Sequence, residues 1–239
     1  MRRFYAPKEN FSDGRIYIAA DETRHLRDVL RLQTGDKIAV FDGEGNEFLA
    51  KIETIKKSGV ELKIIQTLAP SSAESPLHLT LAAAMLKGEK FDLVVQKAVE
   101  IGVTRLVPLH TARCDVNIKG ADKRVDRWRK IVIDAAKQSG RARLMSIDVP
   151  VEFAEFVHSE TSDEIIVFTE RGGESFLKLN EVNKITAVIG PEGGWDDSEI
   201  ELVKTSGVKL ITLGGRILRA ETAAISIAAI LQHRFGDLH

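Results

Sequence analysis

The sequence predicts an α/β fold in which a parallel sheet, covered by helices on both faces, follows a small β-barrel. Three observations carry this. Short runs rich in β-branched and aromatic residues dominate the first part of the chain, and a stretch with two prolines and three serines, LAPSSAESP (68–76), interrupts it. Beyond that stretch, near-continuous apolar runs alternate with segments of helical period, the pattern of strands buried on both faces.

The elements follow in order. In a first domain over 1–70, RIYIA (15–19), KIAVF (37–41), EFLAKI (47–52) and GVELKII (59–65) are separated by Gly, Asp and Asn, as short antiparallel strands are. One helix interrupts them at about 22–32. Leu26, Val29 and Leu30 form its inner face, while Arg24, Arg27 and Arg31 form a stripe at spacings of three and four. The second domain, 76–239, begins with LHLTLAAAM (77–85), and then Phe91, Val94, Val95 and Ala98 recur at helical spacing. RLVPL (105–109) precedes a helix carrying Trp128, Ile131, Val132 and Ala135. EIIVFTE (164–170), ITAVIG (185–190) and VKLITL (208–213) are the last three strands. A final helix has Ala220, Ala223, Ala224, Ile227, Ile230 and Leu231 on one face.

With 239 residues, 44% hydrophobic and 29% charged, the chain has enough apolar material for a sizeable core. A single cysteine, Cys114, excludes an internal disulfide and a multi-cysteine metal site, and the six histidines show no ligand spacing, so no metal is expected. The start, MRRFYAPKEN, lacks the apolar core of a signal peptide, and no run approaches the roughly 18 apolar residues of a membrane span. A cytoplasmic protein without a membrane role is expected. The net charge of -1 conceals an asymmetry: segment 113–143 holds ten basic and four acidic side chains, whereas 144–239 holds eight and sixteen. The basic segment reads equally as an RNA footprint or as a solvated helix face.

In a parallel sheet, ligands bind beyond the carboxyl ends of the strands. Three loops lie there: Phe168, Thr169 and Glu170 before RGG; Ile189 and Gly190 leading to Glu192, Gly193 and Gly194; and LGGRILRA (213–220), which includes Leu213, Gly214, Ile217 and Leu218. Glycines allow close backbone approach to a flat ligand. By itself GPEGG reads as a tight turn into the helix near Asp196, whose first turn is enriched in acids, rather than as a ligand loop. Neither a P-loop nor a GxGxxG fingerprint occurs, so a phosphate-bearing cofactor is disfavoured. An adenosine compound carrying a positive sulfonium suits loops with Glu170 and Glu192 better.

VIGPEGGWDDSEI (188–200) and LGGRILRAETAAI (213–225) resemble the paired signatures of RsmE-type methyltransferases of the SPOUT superfamily. The resemblance extends through RRFY, HLRDVLRL (25–32), ESPLHLTLAAAMLKGEK (74–90), QKAVEIGV (96–103), ARC (112–114), QSGR (138–141) and RFGDL, covering nearly the whole chain. It implies a PUA-like N-terminal barrel and a C-terminal domain with a deep trefoil knot. It also implies a homodimer that uses S-adenosylmethionine to methylate N3 of a decoding-region uridine in 16S rRNA within the small ribosomal subunit. Three positions depart from the family pattern: Gly215 stands where proline is usual, Ala220 where threonine is usual, and Lys137 where an acidic residue is common.

Methyl transfer from a sulfonium is an in-line displacement, so the protein must align the partners and exclude water rather than supply a nucleophile. Cys114 therefore has no catalytic assignment. The uracil N3 proton must leave, and a guanidinium can stabilise the resulting anion. Arg219 is the first choice for that role; Glu221 is read either as the base or as the ion-pair partner of Arg219. The cofactor set also includes Arg219, Thr222 and Ala223. The RNA set comprises Arg2, Arg3, Arg24, Arg27, Arg31, Arg113, Gln138, Arg141 and Arg143.

Overall fold

The computed structural model describes residues 1–176 and 182–239. The chain folds as two compact units. The first comprises Met1–Glu74 and Ala136–Leu144; the second comprises Ser75–Ala135 and Met145–His239.

The first unit contains β1 (Arg3–Tyr5), β2 (Phe11–Ser12), β3 (Arg15–Ala19), α1 (Ala20–Arg24), β4 (Lys37–Phe41), β5 (Glu47–Lys56) and β6 (Gly59–Leu68). They form a six-stranded sheet in the order β1-β4-β5-β6-β3-β2. Pairing is antiparallel except at β1, which runs parallel to β4, with Arg3 opposite Ala39. The alternate residues Ile16 and Ile18, Ile38 and Val40, Ala50 and Ile52, and Val60 and Leu62 share one buried face with Phe4. That is the period-two pattern visible in the sequence.

The expected helix at 22–32 is only partly helical. After α1 the chain forms a π-helical turn, His25–Val29, and Arg31 adopts φ 54° beyond it. A 3.6-residue period would bring Leu26, Val29 and Leu30 together. The wider turn instead keeps Leu26 fully buried, with Leu30 packed on the core, and turns Val29 outward at 64% exposure. Arg24, Arg27 and Arg31 are all exposed, but they do not form one regular helical stripe.

The second unit contains β7 (His78–Ala84), α2 (Lys90–Glu100), β8 (Arg105–His110), β9 (Ser146–Ile147), β10 (Val151–Glu152), α4 (Phe153–Ser159), β11 (Glu164–Thr169), β12 (Glu174–Ser175), β13 (Lys184–Ile189), α5 (Asp197–Thr205), β14 (Lys209–Thr212) and α6 (Ala220–Phe235). Helix α3 (Ala121–Ser139) contributes its residues through Ala135 to this unit and its last turn to the first. The sheet is parallel throughout, in the order β10-β8-β7-β13-β11-β14-β12, with β9 beside β8.

Ala82, Val107, Leu109, Val167 and Val188 face α4 and α5 through Phe153, Phe156, Val157 and Val203. The intervening strand residues face the other way, where α6 packs on β7, β13 and α2. Helices therefore cover both faces, and the strands read as continuous apolar runs because each side chain is buried on one face or the other. No described helix is long and apolar enough to cross a membrane.

Candidate functional site

The carboxyl ends of β11, β13 and β14 open into a cavity of about 480 Å³. All three glycine-bearing loops line it. The structure brings together Phe168, Thr169, Glu170, Ile189, Gly190, Glu192, Gly194, Leu213, Ile217, Leu218, Arg219 and Ala223. Gly193, Gly214 and Thr222 belong to the same loops and helix without lining the cavity. Lys90, Pro191, Trp195, Arg216, Ala220 and Ile227 complete the wall. Of these, Lys90 sits on α2, 102 residues before its neighbour Glu192; it ends the string ESPLHLTLAAAMLKGEK (74–90) but is not singled out there.

The second loop has a definite shape for a physical reason. Trp195 folds back so that its Nε1 donates to the Phe168 carbonyl at 2.8 Å, while its ring packs on Phe153 with centroids 4.8 Å apart. A Cβ on Gly190 would lie 2.8 Å from the indole, so only glycine fits beneath it. After the loop, Asp196 caps α5: its side chain accepts from Ser198 N, and Glu199 accepts from Asp196 N at 3.0 Å. Hydrogen bonds from the Ser198 side chain and backbone, with the Arg113 guanidinium nearby, hold the Asp196 carboxyl below its ordinary value. Lys90 and Glu192 form an ion pair at the mouth.

The third loop leads directly into α6. Arg219 is the N-cap residue, exposed, with φ -65° and ψ 150°, and it lines the cavity beside Arg216 and the 66%-exposed Ile217. Glu221 is the second residue of α6, within its first turn; its Oε2 is buried and has no hydrogen-bond partner among the described residues. No ion pair joins Arg219 to Glu221, so the alternative of a structural pair between them finds no geometric support. Glu221 itself is not among the residues that line the cavity, although Ala220 and Ala223 beside it are.

Comparison with known proteins gives a consistent result. Residues 73–232 match the RNA methyltransferase domain family, and residues 18–65 match the RNA methyltransferase PUA domain. Ribosomal RNA small subunit methyltransferase E of Synechocystis is 32% identical over 236 residues, covering 95% of this chain and 76% of that protein. The chain belongs to the ribosomal RNA small subunit methyltransferase E family. Among solved structures of similar proteins, a methyltransferase from Legionella pneumophila in complex with bound SAM superposes with TM-score 0.91 at 34% identity, covering 99% of both chains. Ribosomal RNA small subunit methyltransferase E from Neisseria gonorrhoeae, bound to S-adenosyl methionine, superposes with TM-score 0.90 at 32% identity, covering 100% of both chains.

The residues expected at an RNA face of this family member separate into three groups. Arg2, Arg24, Arg27, Arg31, Gln138 and Arg143 are exposed within the first unit. Arg3 and Arg141 turn inward instead. Arg3 donates to both oxygens of Glu47, at 2.9 and 3.1 Å, and to the Ala136, Lys137, Gly140 and Arg141 carbonyls at the end of α3. Arg141 is 4% exposed and binds Glu74 at 2.7 Å. Arg3, used on backbone carbonyls and the buried Glu47, and Arg141, itself buried and paired with Glu74, are not exposed as a phosphate contact requires. The third group is Arg113, which lies against Gly193 and Asp196.

Proposed function

We propose that this chain transfers a methyl group from S-adenosylmethionine to N3 of a decoding-region uridine in 16S rRNA of the small ribosomal subunit. The observation that carries the reading is the cavity itself: three loops at the strand ends converge on it, with Arg219 among its lining residues and the unpartnered Glu221 carboxylate oxygen in the first turn of the helix that follows. The residues present fit the cofactor. A volume of about 480 Å³ lies within the range of about 300–1,000 Å³ usual for small-molecule sites. Ile189, Leu213, Leu218, Ala223 and Ile227 offer an apolar slot, and Glu170 and Glu192 bring negative charge to the lining.

When bound, S-adenosylmethionine supplies an electrophilic methyl on a sulfonium, so neither a metal nor a covalent nucleophile is asked of the protein. The protein's tasks are binding, alignment and charge. Arg219 draws charge from the uridine imide as N3 loses its proton, and Glu221 accepts that proton or orients the group that does. The exposed arginines of the first unit, Arg2, Arg24, Arg27, Arg31 and Arg143, grip phosphate. The same reading includes the family's trefoil knot, a homodimer and action in the cytoplasm. In support of the knot, the chain runs from β13 out to β14 and then returns through 213–219 to lay α6 against β7 and β13.

The test is primer extension on small-subunit RNA from a strain lacking the gene. The wild-type chain restores a stop at the decoding-region uridine, and R219A does not, although R219A still binds S-adenosylmethionine by calorimetry. Read-through with the wild-type chain present overturns the proposal in favour of a non-catalytic ribosome-assembly factor.

A further inference from the structure

The family resemblance places Arg113, in ARC (112–114), near the RNA face. Its surroundings point elsewhere. The backbone of Gly193 lies so close that a Cβ there would come within 3.1 Å of Arg113 Cβ and 3.4 Å of its carbonyl oxygen. The guanidinium donates through Nη1 to the Gly193 carbonyl at 3.4 Å and through Nη2 to Asp196 Oδ2 at 3.2 Å. The preceding residue joins in: Ala112 N donates at 2.9 Å to Glu199 Oε1, whose other oxygen holds Asp196 N, and Glu199 is 8% exposed. Two consecutive residues after β8 are thus tied to both ends of segment 193–199. The inner side of the adjoining stretch, Gly190 to Trp195, lines the cavity.

Resting on the cofactor reading above, we infer that Arg113 is a positioning residue: it staples the 190–196 loop from behind and holds it in the shape that binds S-adenosylmethionine. The fork geometry of arginine matters here, since one side chain must reach a carbonyl and a carboxylate together, which lysine cannot do in the same way. Asp196 is the essential partner. Its Oδ1 caps α5 while its Oδ2 receives Arg113, so the loop and the helix start are fixed by one carboxylate. Because the pair stands outside the cavity, its removal loosens the loop without deleting a ligand contact.

Three variants test this. R113A removes the staple; D196N keeps a competent helix cap and leaves the arginine in place but breaks the ion pair; R113K restores charge without the fork. In R113A and D196N the dissociation constant for S-adenosylmethionine and its KM rise about five- to tenfold, as expected for losing partly exposed charge-assisted bonds, while kcat at saturating cofactor is unchanged. R113K recovers part of the loss. In the cofactor-free protein, the Gly194 amide, bonded to the Pro191 carbonyl at 3.0 Å, exchanges faster in R113A than in wild type, a readout that stands even if the wild-type chain fails to bind S-adenosylmethionine and the cofactor reading falls. Unchanged exchange overturns the staple. Unchanged cofactor affinity in R113A, with a salt slope of RNA binding reduced by about 0.7–0.9, overturns it too and returns Arg113 to the phosphate contacts.

Discussion

Replacing Gly190 with alanine perturbs the cavity wall at the point where the structure leaves least room. The new Cβ would sit 2.8 Å from Trp195 Cε2 and 3.0 Å from Nε1. The indole is not a flexible chain end that can swing aside: its Nε1 is bonded to the Phe168 carbonyl, and its face rests on Phe153. If the ring gives way, the hydrogen bond is lost at about 0.5–1.5 kcal/mol, and the packing strain adds about 1–3 kcal/mol. The sum, roughly 2–4 kcal/mol, corresponds to a fall in melting temperature of about 5–15 °C for a chain of this size.

The consequence for function follows from the same displacement. Trp195, Gly190 and Phe168 all line the cavity, so G190A loses cofactor affinity as well as stability. Calorimetric melting without ligand, followed by titration with S-adenosylmethionine, measures both. W195F serves as a comparison: it keeps an aromatic ring against Phe153 but has no donor for the Phe168 carbonyl, so its loss stays near 1 kcal/mol. A G190A protein melting within about 2 °C of wild type with unaltered affinity would refute the argument that the indole dictates glycine here.

Further outcomes follow from other contacts. R3A leaves Glu47, whose side chain is 2% exposed, without its main counter-ion and frees the carbonyls at the end of α3, so denaturant melts should show a loss of about 3–5 kcal/mol with no change in the salt slope of RNA binding. R24A and R27A, by contrast, should leave melting nearly unchanged and lower that slope by about 0.7–0.9 each; unaltered slopes would make them ordinary surface residues. Glu160 provides a pH test. Burial pushes its carboxyl upward, but hydrogen bonds from Ser162, Arg105 and Thr186 and the Arg105 charge outweigh this and hold it below its ordinary value. Its contribution is therefore present above the unfolded carboxylate value of about 4.3 and is lost as pH falls through the lower folded value. Denaturant melts between pH 3 and 6 should show a shallower acid decline for E160Q than for wild type.

The strands, most helices and the loops of the candidate site were legible because they depend on local periodicity. Alternation of apolar residues marked β3, β4, β5 and β6, and continuous apolar runs marked β7, β8, β11, β13 and β14, since burial on one face or both leaves that pattern in any sequence. The glycine-rich turns could be placed at the strand ends for the same reason. Strand β1 was not foreseen: RFY is too short to show alternation, and its parallel pairing with β4 is a long-range choice. The turn after α1 was misjudged because nothing in a 3.6-residue count announces a π-helical bulge.

What the sequence alone determined was chemical: which residues can form strands, which loops can approach a ligand, and that neither phosphate fingerprint is present. Tertiary structure decided how each charged residue is used. Arg3, Arg141 and Arg113 look no different from Arg24 or Arg27 along the chain, yet Arg3 is used on the buried Glu47, Arg141 on Glu74 and Arg113 on a neighbouring loop, whereas Arg24 and Arg27 remain at the surface. A guanidinium is committed by whichever carboxylates and carbonyls the fold brings within hydrogen-bond reach of it, and those partners are separated from it by as many as 138 residues of chain.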